Sequence, residues 1–523
     1  MTTNKSRYLL YAGICIALLP VLIFRDYTPS NELRYLSIAD EALRSHNFFT
    51  FTNHGVPYAD KPPLYLWIVM LCRMIAGKHL MWLLSLFSLI PALLTAEVMD
   101  RWTCNELKPA PRLSGSIVLL TGGLFLGLAV TLRMDMLMTL FIVLALRSFW
   151  RMYTDMTTNR VERWLFPVWV FMAIFSKGPV GILMPLLSTT VFLFISGRIR
   201  DFFRYWGWRT WIPLLALCGL WFGAVYAEGG YEYLDNLLFH QTVDRAVKAS
   251  EHVRPFYYYL ITFWYSMAPW SLLVAAALGG MFMPRFSRGS MMCYFLTVSI
   301  TTFVMLSCSS SKLPVYLVPI FPFLSYATVM YLARVGSTRL LRAAVAVPSG
   351  VLVLALPAML VLTAQPKTAW LFDWWLIVAS ALLSATGILV LCLLYCRIGR
   401  GDRVDLSLRA FATGMLLAIF TAGWATPQLN ASIGYGEICR AARTEARSQG
   451  TTDICTWRVK RSENMDVYLG RDVRIIPDDS VPSPQVTRGV VIITKTKHLK
   501  ALDAARCDTV VGGYAVVSLG NND

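Results

Sequence analysis

Residues 30–64 read SNELRYLSIADEALRSHNFFTFTNHGVPYADKPPL and interrupt an apolar chain directly after its first hydrophobic run. The stretch gathers Glu32, Arg34, Asp40, Glu41, Arg44, His46, His54, Asp60 and Lys61 beside a membrane-length segment, where ionisable groups are costly and tend to mark function. Around it, 56% of the 523 residues are hydrophobic and only 15% are charged, a balance that excludes a soluble globule. Runs of about 17 to 25 apolar residues, enough to cross roughly 30 Å of hydrocarbon, recur from Tyr8 to Trp424.

The net charge of +17 resides in short loops between these runs. That is the positive-inside bias of a membrane protein, so no nucleic-acid partner is expected; anionic membrane lipids are the natural neighbours. The eleven cysteines include no CxxC, and most lie within apolar runs, which argues against a metal framework.

Sidedness follows from the basic loops. Tyr8 to Phe24 follows Lys5 and Arg7 and precedes no small-residue cleavage site, so it reads as a first transmembrane helix. Cytoplasmic loops are then expected around Arg101 to Arg112, Arg151 to Arg163, Arg198 to Arg209, Arg285 to Arg288, Arg334 to Arg342 and Arg397 to Arg409. Between successive loops the chain crosses twice. The outer turns contain Arg133 with Asp135, then Lys177, then Glu228 to Arg254, then Lys312, then Gln365 to Lys367. For this parity Pro63 to Ala76 cannot be a full crossing, and Leu80 to Met99 is the second span.

The expected fold is an all-α polytopic membrane protein of about thirteen transmembrane helices with a small C-terminal α/β domain. The membrane part covers residues 1–429, with a first outer loop at 25–79 carrying juxtamembrane helices and a second at 228–256. The tail, residues 430–523, changes character: a polar helix (GEICRAARTEARSQG), strand-like runs (ICTW, VRIIP, VVIIT), a helix near His498 to Arg506, and final strands (DTVV, YAVVSL). Cys439, Cys455 and Cys507 allow one disulfide there, with an odd thiol left over.

Within the opening stretch, Leu33, Leu36 and Leu43 recur at near-helical spacing, as in a helix lying in the interface. Asp40, Glu41 and Arg44 then either serve a site or form its solvated face, and Ser30 or Asn31 is a candidate cap. Pro62 forces Lys61 towards extended backbone, holding Asp60 and Lys61 rigidly at an aqueous edge.

NELRYLSIADEAL, NHGVPYADKPPLYLW, RMD, SKGPVG, HVRPFYYY before APW, and SSSKLPVYLVP occur in order. Together they resemble the bacterial relatives of protein O-mannosyltransferases, especially the lipid A aminoarabinose transferases of the glycosyltransferase C superfamily, over about residues 8 to 335. The resemblance implies an inner-membrane enzyme that uses a polyprenyl-phosphate sugar donor at its periplasmic face, often with a divalent metal. It implies an acidic pair at Asn31 and Glu32, an acid at Asp60, a lysine at Lys61, a further acid at Asp135 and a metal-proximal histidine at His252.

Asn31 departs from the family's usual aspartate. A hydroxyl acceptor needs a general base, whereas a phosphate acceptor is already an anion, so loss of that carboxylate favours a phosphorylated lipid such as lipid A. The catalytic candidates are therefore Asn31, Glu32 and Asp135. Lys61, Arg254, Lys177, Lys312 and Arg34 are candidates for stabilising the departing phosphate; Lys177 and Lys312 alternatively snorkel from helix ends. Asp60 with His252, or with His240, would hold Zn or Mn better than Ca.

The expected function is an inverting transfer of a sugar from polyprenyl phosphate to a lipid A-like or other envelope lipid or glycan. The alternatives are a flippase for a lipid-linked sugar and a protein O-glycosyltransferase. Against the flippase, the charges cluster at one face rather than at the midplane, and no repeat relates two halves.

Overall fold

A computed structural model describes residues 2–155, 160–238, 253–366, 368–396, 403–480, 482, 490–502 and 506–518. The chain forms two compact units. The first comprises Met1–Leu19, Ala59–Tyr65 and Ser85–Ala422, and the second Pro20–Tyr58, Leu66–Leu84 and Gly423–Asp523.

Among the described residues nine helices are long and apolar enough to cross a membrane, or eleven if each of two bent pairs is one span. Two more helices of the first unit fall outside that count for identifiable reasons. Helix α8, Arg160–Lys177, carries Arg160, Glu162, Arg163 and Lys177, and α9, Val180–Ile195, has 16 residues. The helix Leu64–Ala76 has 13 residues, about 20 Å of rise, too short for a crossing. The last of the membrane-length helices among the described residues is Arg403–Gly423.

The two bent pairs meet at their breaks. Pro109–Leu120 and Gly123–Val130 bend by 67°, and Tyr258–Ser266 and Ser271–Met281 by 120°. Gly123 N–H donates to the Ala268 carbonyl at 2.7 Å, and Trp270 Nε1 donates to Thr121 Oγ1 at 2.9 Å. Non-helical backbone inside an apolar bundle must be satisfied by protein, and each break here serves the other. The APW motif is thus a structural joint.

SKGPVG has a comparable explanation. Gly178 takes a φ of 101° in the turn after α8, and a Cβ on Gly181 would lie 2.4 Å from the backbone of Ala173 and Ile174. Glycine permits both the turn and the close approach of α9 to α8.

In the second unit, α2 (Glu32–Ser45) buries Leu33, Leu36, Ile38 and Ala39. The hairpin of β1 (Thr52–Asn53) and β2 (Val56–Pro57) follows it. The tail forms a five-stranded mixed sheet in the order β4-β3-β5-β7-β6. Its strands are β3 (Ile454–Trp457), β4 (Arg474–Ile476), β5 (Val491–Lys495), β6 (Arg506–Val511) and β7 (Tyr514–Ser518). β3 is parallel to β4 and β5, whereas β5, β7 and β6 pair antiparallel. The short runs ICTW and VIIT are buried throughout, with Trp457, Ile492, Ala515 and Val517 in the core. The helix expected near His498 is a 3-10 turn, Thr496–Ala501, and Cys439, Cys455 and Cys507 are free thiols.

Candidate functional site

In the first unit, Asp135 opens helix α7 (Asp135–Thr154), where a carboxylate suits the positive end of the helix. Its side chain is 1% exposed. Arg133 Nε donates to Oδ2 at 2.8 Å, and Lys177, at the end of α8, donates to Oδ1. The Lys177 ammonium also lies 4.5 Å from the centre of the Tyr316 ring. Two cations thus meet one buried carboxylate, and guanidinium and ammonium groups held in this way are suited to binding a phosphate.

The same unit joins two of the motifs. Val253 and Ser311 form an antiparallel bridge, and Arg254 N–H donates to the Ser310 carbonyl at 3.4 Å. Lys312, 3% exposed, donates to the Arg254 carbonyl at 3.0 Å and to that of Ser309. An ammonium has three donors, so one remains after these two bonds. Lys312 therefore holds the loop that presents the exposed Arg254 side chain. The 3-10 helix Pro314–Ile320, which carries Tyr316, packs against α7 and against the helices Tyr258–Ser266 and Ser290–Cys308. Asp60 and Lys61 are half-buried and belong to this unit.

Asn31, Glu32 and Arg34 belong to the second unit. Asn31 stands at the cap position of α2 without a side-chain capping bond; its Oδ1 is 3.5 Å from Arg34 Nη2. Arg34 lies 5.2 Å from the centre of the Tyr58 ring. Glu32 is 1% exposed and heavily engaged. Both its oxygens accept from Arg25 at 2.7 Å, and Oε2 also accepts from Thr28 N–H at 2.7 Å and from Thr28 Oγ1 at 2.9 Å.

Of the α2 residues for which a site role and a solvated face were both open, Arg44 is exposed, whereas Asp40 and Glu41 are half-buried and tied down. Asp40 Oδ1 accepts from Arg73 Nε at 3.0 Å, and His79 Nε2 lies 3.0 Å from Oδ2. Burial pushes the Asp40 carboxyl up, but the hydrogen bonds and charges of His79 and Arg73 outweigh it and hold it below its ordinary value. Burial likewise raises Glu41, and Thr52 with the backbone N–H groups of Gly55 and His54 more than reverses it. Asp26 accepts from Gly436 N–H at 2.8 Å and from the Tyr468 hydroxyl. It lines a cavity of about 370 Å³ with Arg25, Arg440 and Arg443.

His240 and His252 lie outside the described residues. Among the described residues, the group whose ligand atoms are spaced to hold a metal is His54, Asp466 and Asp472. Sequence reasoning missed that group, and it left Tyr316 unassigned although SSSKLPVYLVP contains it.

No family model matches the chain. Over its whole length the fold is similar to that of ArnT from Cupriavidus metallidurans in its crystal structure bound to undecaprenyl phosphate. The TM-score is 0.76 at 18% identity, covering 100% of this chain and 99% of that one. In sequence the chain is similar to the undecaprenyl phosphate-alpha-4-amino-4-deoxy-L-arabinose arabinosyl transferase 1 of Pseudomonas fluorescens (strain Pf0-1). They are 27% identical over 333 residues, 61% of this chain and 56% of that protein. The corresponding transferase of Shewanella sediminis (strain HAW-EB3) is 25% identical over 313 residues, 58% of this chain and 56% of its own length. The matched stretch thus spans a little over half of these curated relatives. The resemblance carried by the motifs is met in both sequence and fold.

Proposed function

We propose that the protein is a membrane glycosyltransferase that moves a sugar from a polyprenyl-phosphate donor to a lipid A-like or other envelope lipid or glycan. The observation that carries this is the Arg133, Asp135 and Lys177 group, two cations held on one buried carboxylate, in a fold similar to that of ArnT crystallised with undecaprenyl phosphate. In this reading Asp135 orients Lys177 and Arg133. Lys61, Arg254 and Lys177 receive the donor phosphate, while Lys312 positions the Arg254 loop.

The reaction is a single displacement. The acceptor oxygen forms a bond to the anomeric carbon as the bond from that carbon to the phosphate oxygen breaks. The electron pair leaves with polyprenyl phosphate, whose charge the cations stabilise, and the configuration inverts. An acceptor phosphate attacks as an anion and gives up no proton, which suits a chain with Asn31 at the usual carboxylate position.

Thirteen crossings follow if α8 and α9 join the eleven longer spans. The Arg254 loop and residues 430–523 are then periplasmic, at the inner membrane of a bacterium. The metal reading keeps Zn or Mn with Asp60 and His252 or His240, and the displacement above does not depend on it.

Purified protein with a radiolabelled polyprenyl-phosphate sugar tests the proposal. Label should pass to a phosphorylated lipid, and Lys61→Ala and Asp135→Asn should each abolish most of the transfer. Full activity in both variants sinks the site; label crossing a vesicle without transfer makes the protein a flippase; robust transfer to a Ser/Thr peptide overturns the acceptor class.

A further inference from the structure

A second cluster of ligating side chains is built entirely within the second unit. His54, at the turn of the β1–β2 hairpin, has Nε2 3.9 Å from Asp466 Oδ2 and Nδ1 3.7 Å from Asp472 Oδ1. One ligand atom from each residue lies within 4.8 Å of the others. Asp466 is 6% exposed, whereas the Asp472 side chain is 82% exposed.

Charge makes the cluster unusual. Asp466 accepts from Ser37 Oγ at 2.8 Å and from Val467 N–H at 2.8 Å, both neutral donors. Among the described residues neither Asp466 nor Asp472 pairs with an arginine or lysine. Burying a carboxylate without a cation is costly, and two carboxylates converging on one imidazole call for positive charge at their centre.

Two simpler readings fall short. Ser37, His54 and an aspartate suggest a nucleophilic relay, yet Ser37 is 0% exposed and its hydroxyl is donated to Asp466. A protonated His54 offers one N–H to each aspartate, but 3.7 and 3.9 Å are beyond hydrogen-bonding distance, and Nε2 instead lies 3.2 Å from Ser37 Oγ. An ion takes a single imidazole nitrogen, and one such nitrogen lies within 4.8 Å of an oxygen from each aspartate. Bonds of about 2.0–2.2 Å put ligand atoms roughly 3–3.5 Å apart, and Asp472, exposed in the irregular segment before β4, can close the difference.

We propose that His54, Asp466 and Asp472 bind a divalent cation of the zinc or manganese class, with water completing its coordination, and that the ion pins the β1–β2 hairpin to the segment before β4. One imidazole nitrogen and two carboxylate oxygens select such an ion over calcium or magnesium. The cluster shares no residue with the Asp60 metal reading, and the proposed transfer reaction does not depend on it.

The test uses full-length protein in detergent, stripped with a chelator and titrated with Zn²⁺ and with Mn²⁺ by calorimetry, with bound metal counted by mass spectrometry. Asp472→Asn, at an exposed position, should bind one equivalent fewer or at least tenfold more weakly, since even outer-shell changes at metal sites cost 10- to 100-fold. His54→Asn, which keeps a residue tolerant of left-handed backbone, should do the same, while Asp60→Asn should keep this equivalent. Metal should also raise the melting temperature of the parent but not of Asp472→Asn. Unchanged stoichiometry and affinity in Asp472→Asn overturn the proposal whether or not His54→Asn folds.

Discussion

Asp135 and Glu32 are both buried carboxylates held by arginine, and each opens a helix. They differ in where their partners come from. Glu32 is satisfied locally, by Arg25 seven residues earlier and Thr28 four residues earlier, with Oε2 alone accepting three bonds. Asp135 draws Lys177 from 42 residues away and stands between two cations. The oxygens of Glu32 are saturated by its own neighbourhood, whereas Asp135 holds two cations drawn from different parts of the chain.

Substituting Asp135 should produce the largest effect. Asp135→Asn is expected to lower turnover by about a hundredfold or more, by releasing the cations that meet the departing phosphate; turnover with labelled donor measures it. Retained turnover would make the group a structural ion pair like that of Glu32 and erase the contrast.

Glu32→Gln is next. It should cost about 3–5 kcal/mol of stability, because the mostly buried Arg25 loses the carboxylate that it pairs with, while turnover per folded molecule is kept. Thermal unfolding and activity normalised to folded protein separate the two quantities; lost turnover at unchanged stability would assign Glu32 to the chemistry.

Gly181→Ala tests whether the Lys177 position depends on the α8–α9 approach. The added methyl meets the Ala173 backbone at 2.4 Å, so a loss of about 1–3 kcal/mol is expected, with reduced turnover. Normal activity would mean that Lys177 tolerates the shift.

The smallest effect is acidic. Asp40 is held below its ordinary value when folded, so its contribution is present above the ordinary carboxylate value of about 3.9 and is lost as pH falls through the folded value. Asp40→Asn should flatten the decline of melting temperature below about pH 4 and leave neutral stability lower. An unchanged acid limb would show that Arg73 and His79 contribute little there.

Much of this was legible beforehand. The helical runs, the non-crossing helix before Ala76 and the strand-like segments of the tail are local patterns of hydropathy, and local backbone preference is enough to set them. The Asp135 and Lys177 motifs were singled out, but their ion pair was not legible. The engagement of Glu32 was not legible either, because its neighbours Arg25 and Thr28 carry no motif that announces four hydrogen bonds.

By itself the sequence determined that the chain carries membrane-length apolar helices, how they are divided and where the polar stretches interrupt them. Only the tertiary structure decided which of those polar groups are consumed by the fold. It joined Gly123 to Ala268, Val253 to Ser311, and Ser37 to an aspartate 429 residues away. The reason is physical: hydropathy and turn preference act over a few neighbouring residues, whereas the cost of a buried charge is settled by whichever partner the folded chain brings within about 3 Å.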